Sequence, residues 1–129
     1  MKTSISARNS MLNTLATLAD GGYLRIYDGR MPENPEARIS RQTLLAELQL
    51  STPAFKVARG AEIQANEISD DLDAKATGKA SWYRLTRADG ETVLWDGTVG
   101  LVGADLNLNS TDIQENAKVS ISSLSYTQP

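Results

Sequence analysis

The sequence contains no cysteine and no histidine. This double absence excludes a disulfide framework, a thiolate nucleophile, a Cys/His zinc site, a Ser-His-Asp triad and an imidazole proton shuttle. Any catalysis would rest on carboxylates, lysine, tyrosine or a hydroxyl group. Aromatic residues make up only 5% of the chain, too few for the long aromatic-lined groove a glycoside hydrolase usually needs, even with 16 acidic residues to draw a carboxylate pair from. No run approaches the about 18 consecutive apolar residues of a membrane span, and Met1-Lys2-Thr3-Ser4 lacks the apolar run of a signal peptide. The 13 basic residues are outnumbered by the acids, giving a net charge of −3 with no concentrated basic face for nucleic acid. The expected protein is therefore made in the cytosol and binds neither nucleic acid directly nor membrane. Lack of cysteine suits a reducing compartment, and equally a protein that later leaves the cell.

What is present fits one domain, since 129 residues can bury roughly two-thirds of their unfolded surface. Met11, Leu12, Leu15, Leu18 and Ala19 follow helical spacing, Ser4 or Ser6 is placed to cap the start, and Gly21-Gly22 closes the run. This predicts one short amphipathic helix over residues 6–19, either packed on a sheet or serving as a docking arm for a partner. From Tyr23 the period becomes two. Tyr23–Tyr27 alternates, a loop held open by Pro32 and Pro35 follows, and residues 43–50 fit neither period cleanly. Residues 54–59 alternate around Phe55 and Val57, and residues 62–68 read as a further strand. Asp70, Asp71 and Asp73 mark a solvated turn.

The strongest signal is a hairpin: Gly78–Thr86, the Asp89-Gly90 turn, then Glu91–Asp96, with Trp82 and Trp95 placed for one aromatic cluster. Leu106 and Leu108 set a short strand. In the last strand Val119 and Ile121 have opposite parity to Leu124 and Tyr126, so the serines at 122 and 123 are where a bulge restores register. Seven or eight short strands separated by Gly, Pro, Asp and Asn predict a mainly β fold, an antiparallel jelly roll or β-sandwich with one short N-terminal amphipathic helix. The expected division is a helical segment at 1–20 and a single β domain at 21–129.

The chemical motifs fail their own context checks. Residues 70–81 lack the spaced ligands, central glycine and terminal Glu of a helix-loop-helix calcium loop. Gly97, Gly100 and Gly103 have neither the lysine nor the following helix of a phosphate loop, and no Gly-x-Ser-x-Gly elbow occurs. The expectation is no catalytic residue, no metal and no cofactor: a binding or structural module rather than an enzyme.

An ordered set of motifs spans residues 8–126: Gly22-Tyr-Leu-Arg-Ile-Tyr-Asp-Gly29, Leu44-Leu45-Ala46-Glu47-Leu48, Pro53-Ala54-Phe55, Ala76-Thr-Gly-Lys-Ala-Ser-Trp-Tyr-Arg84, Asp96-Gly-Thr-Val-Gly100 and Val119-Ser-Ile-Ser. In this it resembles small virion proteins of tailed bacteriophages and prophages, and within them is similar to jelly-roll capsid cement, or decoration, proteins. That resemblance implies a non-enzymatic structural protein on the capsid exterior, synthesised in the host bacterial cytoplasm. It implies the major capsid protein as partner and self-association as a dimer or trimer. Head-tail junction, tail or fibre-associated proteins, and a carbohydrate-binding sandwich, are the alternatives. The expected partner interface combines the helix (Met11, Leu15, Leu18) with the 29–42 loop (Arg30, Met31, Arg38, Ile39, Arg41), whose mixture of charge and apolar bulk suits an interface as much as a mobile solvent loop.

Overall fold

The computed structural model describes residues 1–128. It is mainly β, as expected. Helix α1 (Ile5–Leu18) precedes β1 (Tyr23–Tyr27), β2 (Leu44–Gln49), β3 (Glu62–Gln64), β4 (Gly78–Lys79), β5 (Trp82–Thr86), β6 (Val93–Gly100), β7 (Leu106–Leu108), β8 (Asp112–Ile113) and β9 (Ile121–Thr127). Seven strands form one sheet in the order β2-β1-β5-β6-β7-β9-β3, while β4 and β8 pair separately. Among the described residues every strand pair is antiparallel except β6–β7.

Three bulges bend the large sheet. Register shifts set aside Leu45 in β2, Leu94 in β6 and Ser122 in β9, the last at the predicted double serine. Each extra residue sharpens local twist, so the sheet curls around one core. Residues 65–75 then bond to β2 at one end of the strand order and to β9 and the residues before it near the other. Toward β2, Lys75 N donates to Leu45 O (2.8 Å) and Leu50 bridges Ile68; toward the β9 side, Ala65 N donates to Leu124 O (2.9 Å) and Asp71 and Val119 exchange backbone bonds. Asp71 is accordingly no solvated turn residue. It is buried, its Oδ2 accepting from Glu47 N and its Oδ1 from Asp73 N, both at 2.9 Å. It satisfies a backbone donor on the free margin of β2 that would otherwise be open to edge pairing.

Helix α1 starts where Ser4 Oγ accepts from Ala7 N, and it is packed on the sheet rather than held out as an arm. Leu12, Ala16 and Ala19 are buried in the same core cluster as Leu24, Ile26, Leu85 and Leu106, so the 1–20 segment and the strands share one core. Its polar side and the turn after it have a second task. Asn9, Asn13 and Asp20 accept the backbone N–H groups of Ala61 (2.9 Å), Ala58 (2.8 Å) and Ala54 (2.8 Å). Residues 54–59 are therefore not the expected strand: they carry only isolated bridges, Phe55 to Ala65 and Arg59 to Glu62, and side chains of α1 and the turn after it take the Ala58 and Ala54 donors that a neighbouring strand would otherwise bind. The turn out of α1 needs Gly22, because a Cβ there would lie 2.1 Å from Thr86 O.

Strand β5 is buried along its whole length and divides two environments. Tyr83 and Leu85 face the core, where the Tyr83 ring lies over its cross-strand partner Gly97, leaving no space for a Cβ. Trp95 Nε1 donates to Tyr83 Oη (2.8 Å), and the Trp95 ring packs against Phe55 and Tyr126 at centroid distances of 5.8 and 4.5 Å. Trp82 points the other way and stacks on Tyr27 at 4.7 Å. The two tryptophans thus belong to two aromatic clusters on opposite faces, not to one, because they sit at positions of opposite parity in the β5–β6 register.

Two predictions follow from this core. Leu12→Ala should cost about 2–5 kcal/mol in urea unfolding, as for a fully buried leucine, whereas a detachable arm would give almost no change. Thermal stability should be flat across about pH 6–8, where no histidine titrates, and should fall at both extremes. At the alkaline end, burial raises the Tyr83 phenol above its ordinary 10.0, so the folded state keeps a proton the unfolded chain releases and stability declines above pH 10.0. At the acid end, hydrogen bonds from the Thr92 hydroxyl and the Thr92 and Glu91 amides hold the exposed Asp89 at about 2 against an ordinary 3.8, so its contribution is lost as pH falls through that interval. Melting curves at closely spaced pH values, with Tyr83→Phe and Asp89→Asn as controls, read both limbs.

Candidate interaction surface

The outer face of β2-β1-β5-β6 carries a charged row fixed by register. Glu47 lies opposite Arg25, Arg25 opposite Arg84, and Arg84 opposite Asp96. Two arginines side by side would repel. Each is instead turned to the carboxylate on its far side. Arg25 Nε donates to Glu47 Oε2 at 2.7 Å with both side chains about a quarter to a third exposed (26% and 32%), whereas Arg84 grips Asp96 through Nε–Oδ1 (2.7 Å) and Nη2–Oδ2 (3.0 Å) with both nearly buried (6% and 4%). The Arg84 guanidinium also lies 5.5 Å from the Trp82 ring centroid, and that of Arg25 5.9 Å from Tyr23. The hydrogen bond to Asp96 raises the Arg84 pKa above its already high ordinary value, so the buried group is charged at any accessible pH.

Over this row runs the 28–43 loop, which acts as a strap. Trp82 Nε1 donates to Asp28 O (3.0 Å), Ser81 Oγ to Gly29 O, and Arg84 Nη1 to Ala37 O (2.8 Å). Asp28 and Thr43 close its base, with Thr43 N donating to Asp28 Oδ1 and Asp28 N to Thr43 O, and Gln42 Nε2 donates to Arg30 O. No residue from Gly29 to Thr43 is buried, so the strap owes its place to hydrogen bonds made at its base and at Ala37. A cavity of about 470 Å³ opens between Pro35–Arg38 and the β6 residues Val93 and Leu94.

The structure separates the residues expected to meet a partner. Arg30, Arg38 and Arg41 are exposed on the strap, and Met31 and Ile39 are half-buried there. None of the three arginines has an ion-pair partner among the described residues. Met11 is exposed and Leu15 and Leu18 are half-buried along one flank of α1. The strap covers the outer face of the sheet while α1 packs on the core side, so the two groups do not form one surface. Sequence reasoning missed the residues that position the strap, Trp82 and Arg84 with Asp96. Their signal depends on the Leu94 bulge: without it, the register next to the hairpin turn would bring Arg84 opposite Trp95.

Among the described residues no three carboxylates gather to hold a metal, and no helix is long and apolar enough to cross a membrane. No family model, curated protein or solved structure matches the chain.

The Arg84–Asp96 pair is open to a direct test. Arg84→Met alone, which leaves Asp96 buried without a partner, should lower stability by about 3–5 kcal/mol, and adding Asp96→Leu should restore most of it. Both variants remove the donor to Ala37 O. Urea melts should therefore separate the two, while trypsin cleavage after Arg38 should be accelerated in both.

Proposed function

We propose that this chain is a non-enzymatic virion structural protein that binds the outside of an assembled capsid shell and braces neighbouring major capsid proteins. The resemblance of the sequence motifs to phage decoration proteins suggests the class of partner. The strap supplies the surface: it is the single observation that carries the reading. Anchored on Asp28, Ala37 and Thr43, it presents Arg30, Arg38 and Arg41 to solvent beside Met31 and Ile39. A segment already fixed in place loses little conformational freedom on docking, so charged and apolar contacts count more fully toward affinity. Repetition of such contacts between adjacent subunits of a shell multiplies modest affinities through effective concentration. Burial of Trp82 and Trp95 weighs against the sugar-binding alternative, since neither ring offers an exposed platform.

The test is co-sedimentation of the purified protein with expanded and unexpanded shells from the same phage or prophage source. Saturable binding to expanded shells, in fixed ratio to the major capsid protein and unchanged from about pH 6 to 8, is expected. Charge reversal in Arg38→Glu with Arg41→Glu should weaken that binding at least tenfold without moving the melting temperature. Absence of shell binding, with labelling at the portal or tail instead, would overturn the proposal in favour of a head-tail or tail role.

A further inference from the structure

We infer that the space between the first half of β6 and the end of β9 is an empty strand position that receives an extended segment of the shell protein. This rests on the shell-binding reading and gives that contact its form. Strand β7 separates β6 from β9 over only part of their length: it meets β6 at Val99 and Gly100, and β9 at residues 121–124. Asp105 marks where it begins, its side chain accepting from Thr98 N (3.2 Å) and its carbonyl from Ser125 N (3.0 Å). Just before that the chain turns aside, with Gly103 at a positive φ of 73°. The flanking strands run on past Asp105, β6 back to Val93 and β9 forward to Thr127. They lie two strand spacings, or about 10 Å, apart, with no strand between them among the described residues.

Both rims turn backbone groups into this space. In an antiparallel pair, successive residues alternate between bonding the partner strand and pointing away from it. Val99 N donates to Ser81 O (3.3 Å), whereas Thr98 N points away from β5 to Asp105, so Asp96, two residues before Thr98, also points away. Arg87 N donates to Thr92 O, which turns Val93 outward as well. On the other rim Ser125 N donates to Asp105 O and Gln128 N to Ala61 O, so Thr127 turns its N–H and C=O away from β3 and toward β6. Exposure agrees with this assignment. The Asp96 side chain is only 4% exposed, yet the residue as a whole is half-buried rather than buried, so water reaches its main chain, and Thr127 is exposed.

The slot has a floor and a side chamber. On the core side the Trp95 and Tyr126 rings meet at a centroid distance of 4.5 Å, which ties the two rims together. On the outer side the cavity of about 470 Å³ between Pro35–Arg38 and Val93–Leu94 opens beside the β6 rim. Backbone donors and acceptors at strand spacing on two sides fit one class of ligand, an extended polypeptide. Its main chain bonds both rims, and its alternate side chains point toward the cavity and toward the aromatic pair. The width decides which polypeptide enters. A strand already paired in a sheet, the edge of a second copy included, would drive its own neighbour into β9, so the occupant is an arm with both edges unpaired. Within this chain the long segments outside the sheet are bonded in place, the strap at Asp28, Ala37 and Thr43, and residues 65–75 at Leu45 and Leu124. The arm therefore comes from the partner. Arg38 stands on the strap and also lines the cavity, which makes strap and slot one continuous surface for it.

Amide hydrogen exchange on the full chain, read residue by residue by NMR, tests the slot without any shell. The Asp96 and Thr127 amides should exchange at least tenfold faster than those of Gly97 and Tyr126, which bond to β5 and β3. After labelling on expanded shells and release for reading, exchange at the same two amides should be at least tenfold slower than in the free protein. Thr127→Pro removes the donor from the β9 rim without breaking a bond to β3, so it should keep the melting temperature and weaken shell binding at least tenfold. Thr127→Val, which keeps the amide, separates the backbone contact from one made by the side chain. Asp96 and Thr127 amides already protected in the free chain, no added protection on shells, unchanged binding by Thr127→Pro, or an equal loss in Thr127→Val would each overturn the inference while leaving shell binding through the strap intact. Absence of any shell binding would overturn both.

Discussion

The ion pair between Arg84 and Asp96 is the constraint on which the outer half of the molecule depends. A charge this deeply buried is tolerated only where its partner and remaining donors are in place. That requirement fixes three things together. It sets the β5–β6 register, because a slip of one residue would turn Asp96 toward the core and Trp95 outward. It calls for a cover over the guanidinium, which the strap supplies through Ala37 O. And it draws Trp82 and Tyr27 into the same dry layer, so that β5 is enclosed on both faces instead of one. An apolar pair of equal volume would pack as well, but it would not distinguish one register from the next.

The core side follows a different logic, in which backbone donors are satisfied by side chains rather than by strands. Asn9 and Asn13 on α1 and Asp20 in the turn after it stand in for a neighbouring strand along residues 54–61, and Asp71 does the same for the margin of β2. These substitutions let a sheet of seven strands close around a small core without leaving long exposed edges. Bulges at Leu45, Leu94 and Ser122 provide the curvature.

Much of this was legible in the sequence wherever local periodicity and turn chemistry decide. The helix, β1, the Asp89-Gly90 hairpin, β7 and the bulge in the Ser122-Ser123 pair all follow from patterns a few residues long. What escaped depends on distant partners. Phe55 and Val57 alternate like a strand, yet Val57 is exposed and the amide that follows it, Ala58 N, bonds to Asn13 on a helix 45 residues earlier. Asp71 looked like one acid in a solvated turn until its backbone donors, one of them 24 residues away, were in place. The expected interface was divided for the same reason, since nothing local says that the strap and α1 lie on opposite sides of one sheet.

The strand order also has a consequence in time. Strand β9 lies between β7 and β3, and it is the last to be synthesised. Until residues 121–127 leave the ribosome, the sheet is split, α1 has only part of the core to rest on, and a 14-residue helix is marginal by itself. Local segments such as the β5–β6 hairpin can form early, but closure links pieces more than sixty residues apart. The chain should therefore fold late and as a unit, with unpaired margins of β7 and β3 exposed in the interval. That interval, rather than the stability of the finished fold, is where yield is most easily lost.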